Sequence, residues 1–381
     1  MAPSSVRPIR VMHVVGGMNR GGAETWLMHV LRNIDRDEFK MDFVVHTDQP
    51  CAFDEEIRGL GSKVIPCMHP SSPVAYARNL NRIMHRYGPY DVVHSHVHNY
   101  SGYILWLARR AGVSIRIAHS HLDTSDFDNA ASLTRRLYVS ATKRMVRRNA
   151  THGLAASDKA AKALFGEKWE ADARCQILYC GIDLAPFAGP VDAAVVRKEL
   201  GIPADAFVIG HVGRFMEQKN HTFLIDIAAE VARREPMMRL LLVGDGPLRA
   251  SIEQKVAEAG LSDKVVFAGT RPDVSRLMLG AMDVFVMPSL YEGLPLVGME
   301  VQSAGLPLVV SDTVTEELDV VKPLVRRVAL SKQASAWADE VLVSRKTSSA
   351  ISQAQALSHM ERSGFNIALS MKGLEGVYRG Q

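Results

Sequence analysis

The chain has 381 residues, of which 47% are hydrophobic and 23% are charged, so it can build full cores and is not a disordered protein. This length predicts two domains. The four cysteines show no paired spacing, which predicts a reducing, cytoplasmic location. We also expect neither a signal peptide nor a membrane-spanning segment. The net charge of +4 is concentrated in residues 1–185, which indicates an anionic surface or substrate there; we expect no nucleic-acid partner.

Short apolar strands alternate with helical stretches twice along the chain, which predicts an α/β fold of two Rossmann-like domains with parallel sheets. We place the first domain at 1–185, the second at 186–360, and a C-terminal helix at 361–381. The predicted strands are Ile9–Val15, Met41–Thr47, Lys63–Cys67, Asp91–His96, Ile115–Ser120, Gly153–Ala156 and Gln176–Tyr179, then Phe207–Val212, Arg239–Val243, Lys264–Ala268, Val284–Met287 and Leu308–Val310.

A glycine-rich loop follows the first strand and runs from Gly16 to Glu24. Ligands of such sheets bind beyond the carboxyl ends of the strands. Gly21 and Gly22 permit close approach of a ligand to the backbone at the start of a helix. The loop is neither a dinucleotide fingerprint nor a Walker P-loop, and an ordinary turn is the alternative.

Several histidines lie at the ends of the fourth and fifth strands. His94, His96 and His98 alternate, and such a face could bind a metal ion, but no acidic ligand accompanies it, so we expect no metal site. His119 lies near the carboxyl end of the strand Ile115–Ser120, where a side chain facing the site would contact substrate.

Residues 132–149 are predicted to form a basic helix. Leu133, Leu137, Ala141 and Met145 recur on one side. This pattern fits a helix that lies on an anionic membrane, and equally an ordinary amphipathic helix with a solvated cationic face. The helix has no acid and six cations, which are Arg135, Arg136, Lys143, Arg144, Arg147 and Arg148.

The second domain carries two cations on the loop after its first strand, Arg214 and Lys219. A diphosphate leaving group needs such cations, because its charge grows as the bond breaks. The alternative is a pair of ordinary surface cations. Further polar loops at the same end of the sheet are Gly244–Pro247 and Gly269–Arg271.

Two carboxylates eight positions apart, Glu292 and Glu300, flank a loop that leads from a buried strand into a helix. Free backbone N–H groups and the positive end of the helix dipole suit an anion. Carboxylates beside it can accept hydrogen bonds from hydroxyls. The segment therefore predicts a site for a phosphate joined to a sugar.

Taken together, these motifs resemble the retaining glycosyltransferases of family 4, which have the GT-B fold of two Rossmann-like domains facing each other across a cleft. The resemblance covers most of the chain and is nearest to the exopolysaccharide and capsule-type members. One departure is Cys180 before Gly181-Ile182-Asp183, where the family often has Asn. The resemblance implies that 1–185 is the acceptor-side domain, that 186–360 binds the nucleotide-sugar donor, and that the C-terminal helix at 361–381 crosses back onto the first domain. The matching motifs are Gly21–Glu24, Gly213–Asn220, Val243–Pro247, Glu292–Glu300 and Ala304–Pro307.

The resemblance implies a role for each site residue. Arg214 and Lys219 would hold the donor diphosphate, Glu292 the hydroxyls of the transferred sugar, and Glu300 the ribose hydroxyls. The remaining implied contacts are Gly293, Leu294, Pro295 and Leu296 near the phosphates and sugar, Thr270 and Arg271 near the base, Gly21 and Gly22 near the diphosphate, and His119 near the reacting carbon.

The expected activity is metal-independent transfer of a sugar, with retention, from a nucleotide-sugar donor. We expect a UDP-linked donor and a glycan or lipid-linked acceptor in cell-surface polysaccharide synthesis, at the inner face of the membrane. Closure of the two domains around the donor is expected. A sugar-nucleotide epimerase of the same fold and a non-catalytic sugar-nucleotide binder are the alternatives.

Overall fold

A computed structural model describes residues 7–122, 132–347 and 351–381, which divide into two compact units. The first unit comprises the described residues up to Gly181 together with Ile367–Gln381, and the second is Ile182–Asn366. Each unit is built on its own parallel sheet. Helices cover the sheets because parallel strands need crossover connections.

The sheet of the first unit has seven strands in the order β3-β2-β1-β4-β5-β6-β7, and all neighbours are parallel. The direction of winding reverses between β1 and β4, so a crevice opens at the carboxyl ends of these two strands. The strands are Ile9–Val15 (β1), Phe39–Val45 (β2), Val64–Pro66 (β3), Val92–Ser95 (β4), Ile115–Ser120 (β5), His152–Ala155 (β6) and Cys175–Ile177 (β7).

The helices of this unit pack apolar faces against the sheet. The core contains the fully buried Met12, Val14, Tyr76 and Leu80, and Trp26 lies fully buried in the first helix. The helices are Gly22–Asn33 (α1), Asp54–Gly59 (α2), Pro73–Tyr87 (α3), Ser101–Arg110 (α4), Leu133–Asn149 (α5) and Asp158–Phe165 (α6).

The sheet of the second unit has six parallel strands in the order β10-β9-β8-β11-β12-β13. Its winding reverses between β8 and β11. The sequence did not predict β13, because this edge strand reads Val-Arg-Arg-Val and is only half-buried. The strands are Phe207–Val212 (β8), Met238–Val243 (β9), Val265–Gly269 (β10), Val284–Met287 (β11), Leu308–Ser311 (β12) and Val325–Val328 (β13).

The second unit has a separate core of aliphatic and aromatic side chains, which includes the fully buried Ile209, Phe215, Leu242 and Trp337. Its two ends meet, because Ile182 N donates to the Phe365 carbonyl at 2.8 Å. The helices are Ala193–Glu199 (α7), His221–Arg234 (α8), Arg249–Glu258 (α9), Val274–Gly280 (α10), Leu296–Ser303 (α11), Ala334–Thr347 (α12) and Gln353–Glu361 (α13).

The last helix, Ile367–Tyr378 (α14), belongs to the first unit. Tyr378 is buried, and its ring centroid lies 5.9 Å from that of Phe39. Arg379, just after the helix, donates two hydrogen bonds of 2.7 Å to Glu38. The first unit is therefore completed by residues from the far end of the chain. Within the described ranges, no helix has the length and apolar character to cross a membrane.

Candidate functional site

In the second unit, the loop after β8 is supported by the loop after β9. Gly213 N donates to the Val243 carbonyl at 3.0 Å, and Phe215 N donates to the Asp245 carbonyl at 2.9 Å. Gly244 has φ of 136°, and a side chain there would collide with the carbonyl of Gly213. Only glycine fits this turn, so the Val-Gly-Asp-Gly-Pro motif fixes the backbone on both sides of Arg214.

Lys219 and Glu292 form an ion pair where the loops after β8 and β11 meet. Lys219 Nζ lies 2.5 Å from Glu292 Oε1, and Gln218 Nε2 donates to Glu292 Oε2 at 3.2 Å. The side chains of the lysine and glutamate are only 16% and 7% exposed. Leu290 N also donates to the Gln218 carbonyl at 2.8 Å, which ties the two loops together. The structure thus places a partly desolvated cation against a carboxylate at the carboxyl edge of the sheet.

Glu300 lies in the second turn of α11, which begins directly after the loop formed by Gly293, Leu294 and Pro295. The side chain is partly buried, and removal from water raises the pKa of its carboxyl to about 7. Among the described residues its carboxylate has no hydrogen-bond partner. A carboxylate in this state can accept hydrogen bonds from a ligand without giving up existing ones.

The other residues of the second unit that were predicted to bind the nucleotide-sugar donor differ in whether their side chains already have partners. Arg214 is exposed, and its guanidinium has no partner within the described ranges. Thr270 is exposed just after β10. Arg271 makes two hydrogen bonds of 2.8 Å to Asp273, so its charge is already compensated. This pairing favours a main-chain role for Arg271 over a side-chain one, whereas the guanidinium of Arg214 remains available for a ligand.

In the first unit, Gly21 is the N-cap of α1 and Gly22 is its first residue. A side chain at Gly21 would collide with the carboxylate of Glu24, which lies beside the start of the helix. Burial raises the pKa of Glu24. A side chain at Gly22 would meet nothing within 4 Å, so space beside Gly22 is open to a ligand.

His119 is the penultimate residue of β5 and is completely buried. Its Nδ1 lies 3.1 Å from Nε2 of His94, whereas its Nε2 has no hydrogen-bond partner in the described part of the chain. The ring of Trp26 packs edge-on against it, with centroids 5.1 Å apart. His119 is therefore one end of a buried histidine cluster, and only its Nε2 is left to make a new contact.

The histidine cluster is larger than the sequence indicated. His98, expected beside His94 and His96, lies instead in a short 3-10 turn with φ of 49°. His13, on β1, and His121, just after β5, join the cluster in its place. Nitrogen atoms of His13, His94 and His96 lie within 4.8 Å of one another, as do those of His96, His119 and His121.

Nitrogen atoms at this spacing can hold a transition metal, but hydrogen bonds already occupy most of them. His13 Nδ1 lies 3.0 Å from His96 Nε2, and His96 Nδ1 lies 2.9 Å from His121 Nε2. The nitrogens face one another in pairs, so a cation would have to replace these hydrogen bonds. The rings fit a hydrogen-bonded cluster better than a metal centre.

Besides His121, sequence reasoning missed two members of this cluster. His13 lies inside a buried apolar strand, where a histidine is easily mistaken for an isolated core residue. Tyr378 lies 365 positions further along the chain, yet its hydroxyl is 3.3 Å from His13 Nε2 and 3.0 Å from His94 Nδ1. Only the return of α14 to the first unit brings it there.

The basic helix α5 leaves Leu137 and Ala141 of its apolar stripe exposed and packs through another face. Val139, Thr142 and Val146 are buried, whereas Leu137 and Tyr138 are 63% and 51% exposed. Leu137 belongs to the apolar stripe that the sequence shows, which fitted either a membrane surface or packing against the protein. The exposed surface of this helix therefore combines large apolar side chains with cations.

Comparison with known proteins agrees with these features. Residues 20–186 match the family model described as glycosyltransferase family 4, and residues 192–346 match the model described as glycosyl transferases group 1. Putative glycosyltransferase EpsF of Bacillus subtilis is 41% identical over 87% of this chain and 86% of its own length. An Escherichia coli UDP-Gal:alpha-D-GlcNAc-diphosphoundecaprenol alpha-1,3-galactosyltransferase is 35% identical over 35% of each chain.

Among solved structures, Anabaena Alr3699/HepE in complex with UDP and glucose superposes with a TM-score of 0.80 at 19% identity, covering 98% of this chain and all of that one. This likeness shows the GT-B fold, which the sequence motifs had implied. The family models cover both units, and the relative EpsF matches along most of the chain. The chain belongs to glycosyltransferase family 4 and has the GT-B fold.

Proposed function

We propose that this glycosyltransferase moves a sugar, with retention of configuration, from a UDP-linked donor to a glycan or lipid-linked acceptor in cell-surface polysaccharide synthesis. The observation that carries the proposal is the Lys219–Glu292 pair at the carboxyl edge of the second sheet. Lys219 can neutralise the charge of a departing phosphate. Glu292, whose Oε1 lies 2.5 Å from Lys219 Nζ, can accept hydrogen bonds from sugar hydroxyls.

Arg214 and Lys219 act on the diphosphate. Arg214 has no partner among the described side chains, and Lys219 is fixed by Glu292. Negative charge accumulates on the leaving oxygen as the glycosidic bond breaks, so cations already in place stabilise the transition state more than the bound donor. These two cations supply the charge neutralisation that other enzymes obtain from a metal ion, and we infer metal-independent transfer.

Glu300 accepts the ribose hydroxyls, because its partly buried carboxylate lacks a partner in the described structure. The loop of Gly293, Leu294, Pro295 and Leu296 leads into α11 and offers backbone N–H groups to the phosphates and sugar. Main-chain atoms of Thr270 and Arg271 contact the base.

The first unit has two proposed contacts with the donor. The open space beside Gly22 admits the diphosphate next to the N-terminus of α1, with Gly21 immediately before it. We propose that the unpaired Nε2 of His119 contacts the sugar near the reacting carbon; because this atom is buried in the unliganded chain, the contact requires neighbouring side chains to move aside. The acceptor attacks from the face that the leaving phosphate vacates, and that phosphate takes its proton.

The proposed donor and acceptor classes rest on the relatives. HepE was solved with UDP and glucose, and the E. coli relative uses a UDP-sugar and a diphosphoundecaprenol-linked acceptor, as their names state. An acceptor of that kind lies in a membrane. The exposed Leu137 and Tyr138 beside the cations of α5 support peripheral contact with an anionic membrane from the cytoplasmic side.

A panel of nucleotide sugars, including UDP-glucose and GDP-linked sugars, tests the proposal by thermal shift. A ligand at 100 times its Kd stabilises the folded state by about 2.7 kcal/mol. We expect stabilisation by UDP-linked donors, and the active donor is then tested for transfer with and without EDTA. Stabilisation by none of the donors, or activity lost with EDTA and restored by magnesium, would contradict the proposal.

The anomeric configuration of the first-formed product, followed by NMR, tests retention. Conversion of the donor into an epimer, with no transfer, would instead identify an epimerase. Donor binding with no turnover against any acceptor, and no slow hydrolysis, would identify a non-catalytic binder. Loss of turnover with retained nucleotide binding in Glu292→Ala is the result expected of a transferase.

A further inference from the structure

A continuous series of hydrogen bonds runs through the interior of the first unit. It begins at His119, passes through Tyr378 on the C-terminal helix, and ends at the buried thiol of Cys180. The successive contacts are His119 Nδ1 to His94 Nε2 (3.1 Å), His94 Nδ1 to the Tyr378 hydroxyl (3.0 Å), that hydroxyl to His13 Nε2 (3.3 Å), His13 Nδ1 to His96 Nε2 (3.0 Å), His96 Nδ1 to His121 Nε2 (2.9 Å), and His121 Nδ1 to Cys180 Sγ (3.6 Å).

Burial favours the neutral form of all five imidazoles of this series. Burial lowers the pKa of His13 and of His121 to about 3. Burial, together with repulsion from neighbouring rings, lowers the pKa values of His94, His96 and His119 well below the ordinary value. A neutral imidazole carries one N–H, so one ring nitrogen donates and the other accepts.

The order of atoms along the series makes the tautomers interdependent. Every ring uses Nδ1 toward one end and Nε2 toward the other, and a hydrogen bond between two nitrogens needs one proton. If His94 carries its proton on Nε2, it donates to His119 Nδ1, and His119 must then carry its own proton on Nε2. The same constraint holds between each remaining pair of neighbours, so all five rings carry the proton on Nε2 or all five carry it on Nδ1.

The Tyr378 hydroxyl couples the tautomers of His94 and His119 to those of His13, His96 and His121. This hydroxyl has one proton, so it donates to one neighbour and accepts from the other. If it donates to His94, it accepts from His13 Nε2–H; if it donates to His13, it accepts from His94 Nδ1–H. Without this hydroxyl, the pair His94–His119 is separated from His13, His96 and His121.

We propose that the five histidines share one tautomer, and that Tyr378 thereby fixes whether His119 presents an N–H or a lone pair at its unpaired Nε2. Tyr378 is a positioning residue, since it acts on the sugar only through the rings. The consequence for the sugar rests on the proposed contact of His119 with the donor; the shared tautomer does not.

The first experiment reads the tautomers directly in the full-length protein without ligand. Long-range proton–nitrogen correlation spectra of protein labelled in the histidine rings distinguish the two neutral tautomers from each other and from imidazolium. We expect five resonances of one and the same tautomer, while the exposed His85 shows fast averaging. A mixture of both tautomers among the five, an imidazolium among them, or a stoichiometric metal bound to their nitrogens would overturn the proposal.

The second experiment compares Tyr378→Phe with the control Tyr87→Phe, whose hydroxyl takes no part in the series. In Tyr378→Phe we expect one half of the series to change tautomer. With the donor identified by thermal shift, kcat should fall by roughly tenfold, which is the effect of one hydrogen bond. The KM for the donor should stay within a factor of about two, because binding of the nucleotide is unchanged.

The outcomes separate the two proposals. Unchanged tautomers in Tyr378→Phe would overturn the coupling, whatever the kinetics. Changed tautomers with an unchanged kcat would keep the coupling and overturn the sugar contact of His119. If no nucleotide sugar binds at all, the proposed function fails, while the spectra of the unliganded protein still decide whether the tautomer is shared. The wild-type spectra decide this even if the variant does not fold.

Discussion

At the scale of single residues, Lys219 is the group on which the proposed chemistry depends most. Its ammonium group is held 2.5 Å from the Glu292 carboxylate and is only 16% exposed. A cation in this position interacts most strongly with the charge that appears as the diphosphate leaves. Its effect should therefore appear in the chemical step.

Lys219→Ala should lower kcat strongly and change the donor KM little. Loss of a charged hydrogen bond costs about 1.5–3 kcal/mol, which corresponds to roughly 10- to 150-fold in rate. Steady-state kinetics measure both constants, and Lys332→Ala, which removes an exposed lysine elsewhere in the second unit, is the control. A raised KM with an intact kcat would show that Lys219 contributes only to binding.

Glu300→Gln should alter the pH dependence of the free energy of unfolding in a defined direction. The pKa of this carboxyl is raised from 4.5 to about 7, so the folded chain binds the proton more tightly than the unfolded chain. Its contribution to stability is present below pH 4.5 and is lost as the pH rises through 7. The loss is a few kcal/mol at most, from roughly 1.4 kcal/mol per pKa unit.

Thermal unfolding of the wild type and of Glu300→Gln from pH 4 to pH 8 measures this term, because the raised pKa of Glu24 affects both proteins equally. The variant should gain stability relative to the wild type as the pH rises. It should also bind the donor more weakly with little change in kcat, since ribose hydroxyls do not change during the reaction. A pH-independent difference in stability would show that the carboxyl titrates normally.

Gly22→Ala should separate binding from folding. A methyl group at this position meets nothing within 4 Å, and Gly22 is a helical residue. Stability should therefore stay within about 0.5 kcal/mol or rise slightly, whereas donor affinity should fall if the diphosphate approaches the backbone there. Gly59→Ala in α2, equally free of contacts, is the matched control. Equal donor affinity in both variants would remove Gly22 from the site.

At the scale of elements, the strands could be predicted because each is an apolar run that ends at a polar loop. The edge strand β13 could not, since its two arginines hide the pattern. The loops that carry Arg214, Lys219 and Glu292 were recognisable because they follow buried strands. The histidine cluster was not, because it depends on the register of β1 against β4, which pairs His13 with His94, and on a helix hundreds of residues away.

For helix α5 the sequence pattern predicted the element but left open whether its apolar stripe packs against the protein or lies on a membrane. The stripe includes Leu137 and Ala141, whereas the packing face contains Val139, Thr142 and Val146. The spacing of small and apolar residues alone does not decide which stripe packs against the neighbouring helices α4 and α6. The result leaves Leu137 exposed beside cations, which favours contact with a membrane more than the sequence pattern did.

Sedimentation with vesicles tests this helix. We expect salt-sensitive binding to anionic vesicles and none to neutral ones, since basic residues near an anionic leaflet contribute about 1 kcal/mol each before screening. The variant carries serine at Arg136, Arg144 and Arg148, which are exposed; Arg147 is kept because it donates to the Phe165 carbonyl.

The matched control replaces three exposed arginines of α3, Arg78, Arg82 and Arg86, and so removes the same charge from another helix. Only the α5 variant should lose binding. An equal loss in both variants would mean that net charge alone governs attachment, and no loss in either would leave α5 as a solvated face.

At the scale of the whole molecule, the two units differ in how the chain builds them. The first needs both ends of the chain, because α14 completes its core and Arg379 pairs with Glu38. The second is one continuous segment, and its ends meet where Ile182 N bonds to the Phe365 carbonyl. It also has its own core. Excising this segment therefore cuts the chain where the ends are already together.

The segment 182–366 should therefore fold alone and bind UDP, because Arg214, Lys219, Thr270 and Glu300 all lie within it. Its Kd should be within about tenfold of that of the full chain, equivalent to 1.4 kcal/mol, with the difference due to Gly21 and Gly22. It should show no transfer, since His119 is missing. Calorimetric titration with UDP measures the affinity, and the same segment with Glu300→Gln should bind more weakly. A folded segment that does not bind UDP would mean that the first unit supplies the main nucleotide contacts, and the roles proposed for the second unit would have to be reassigned.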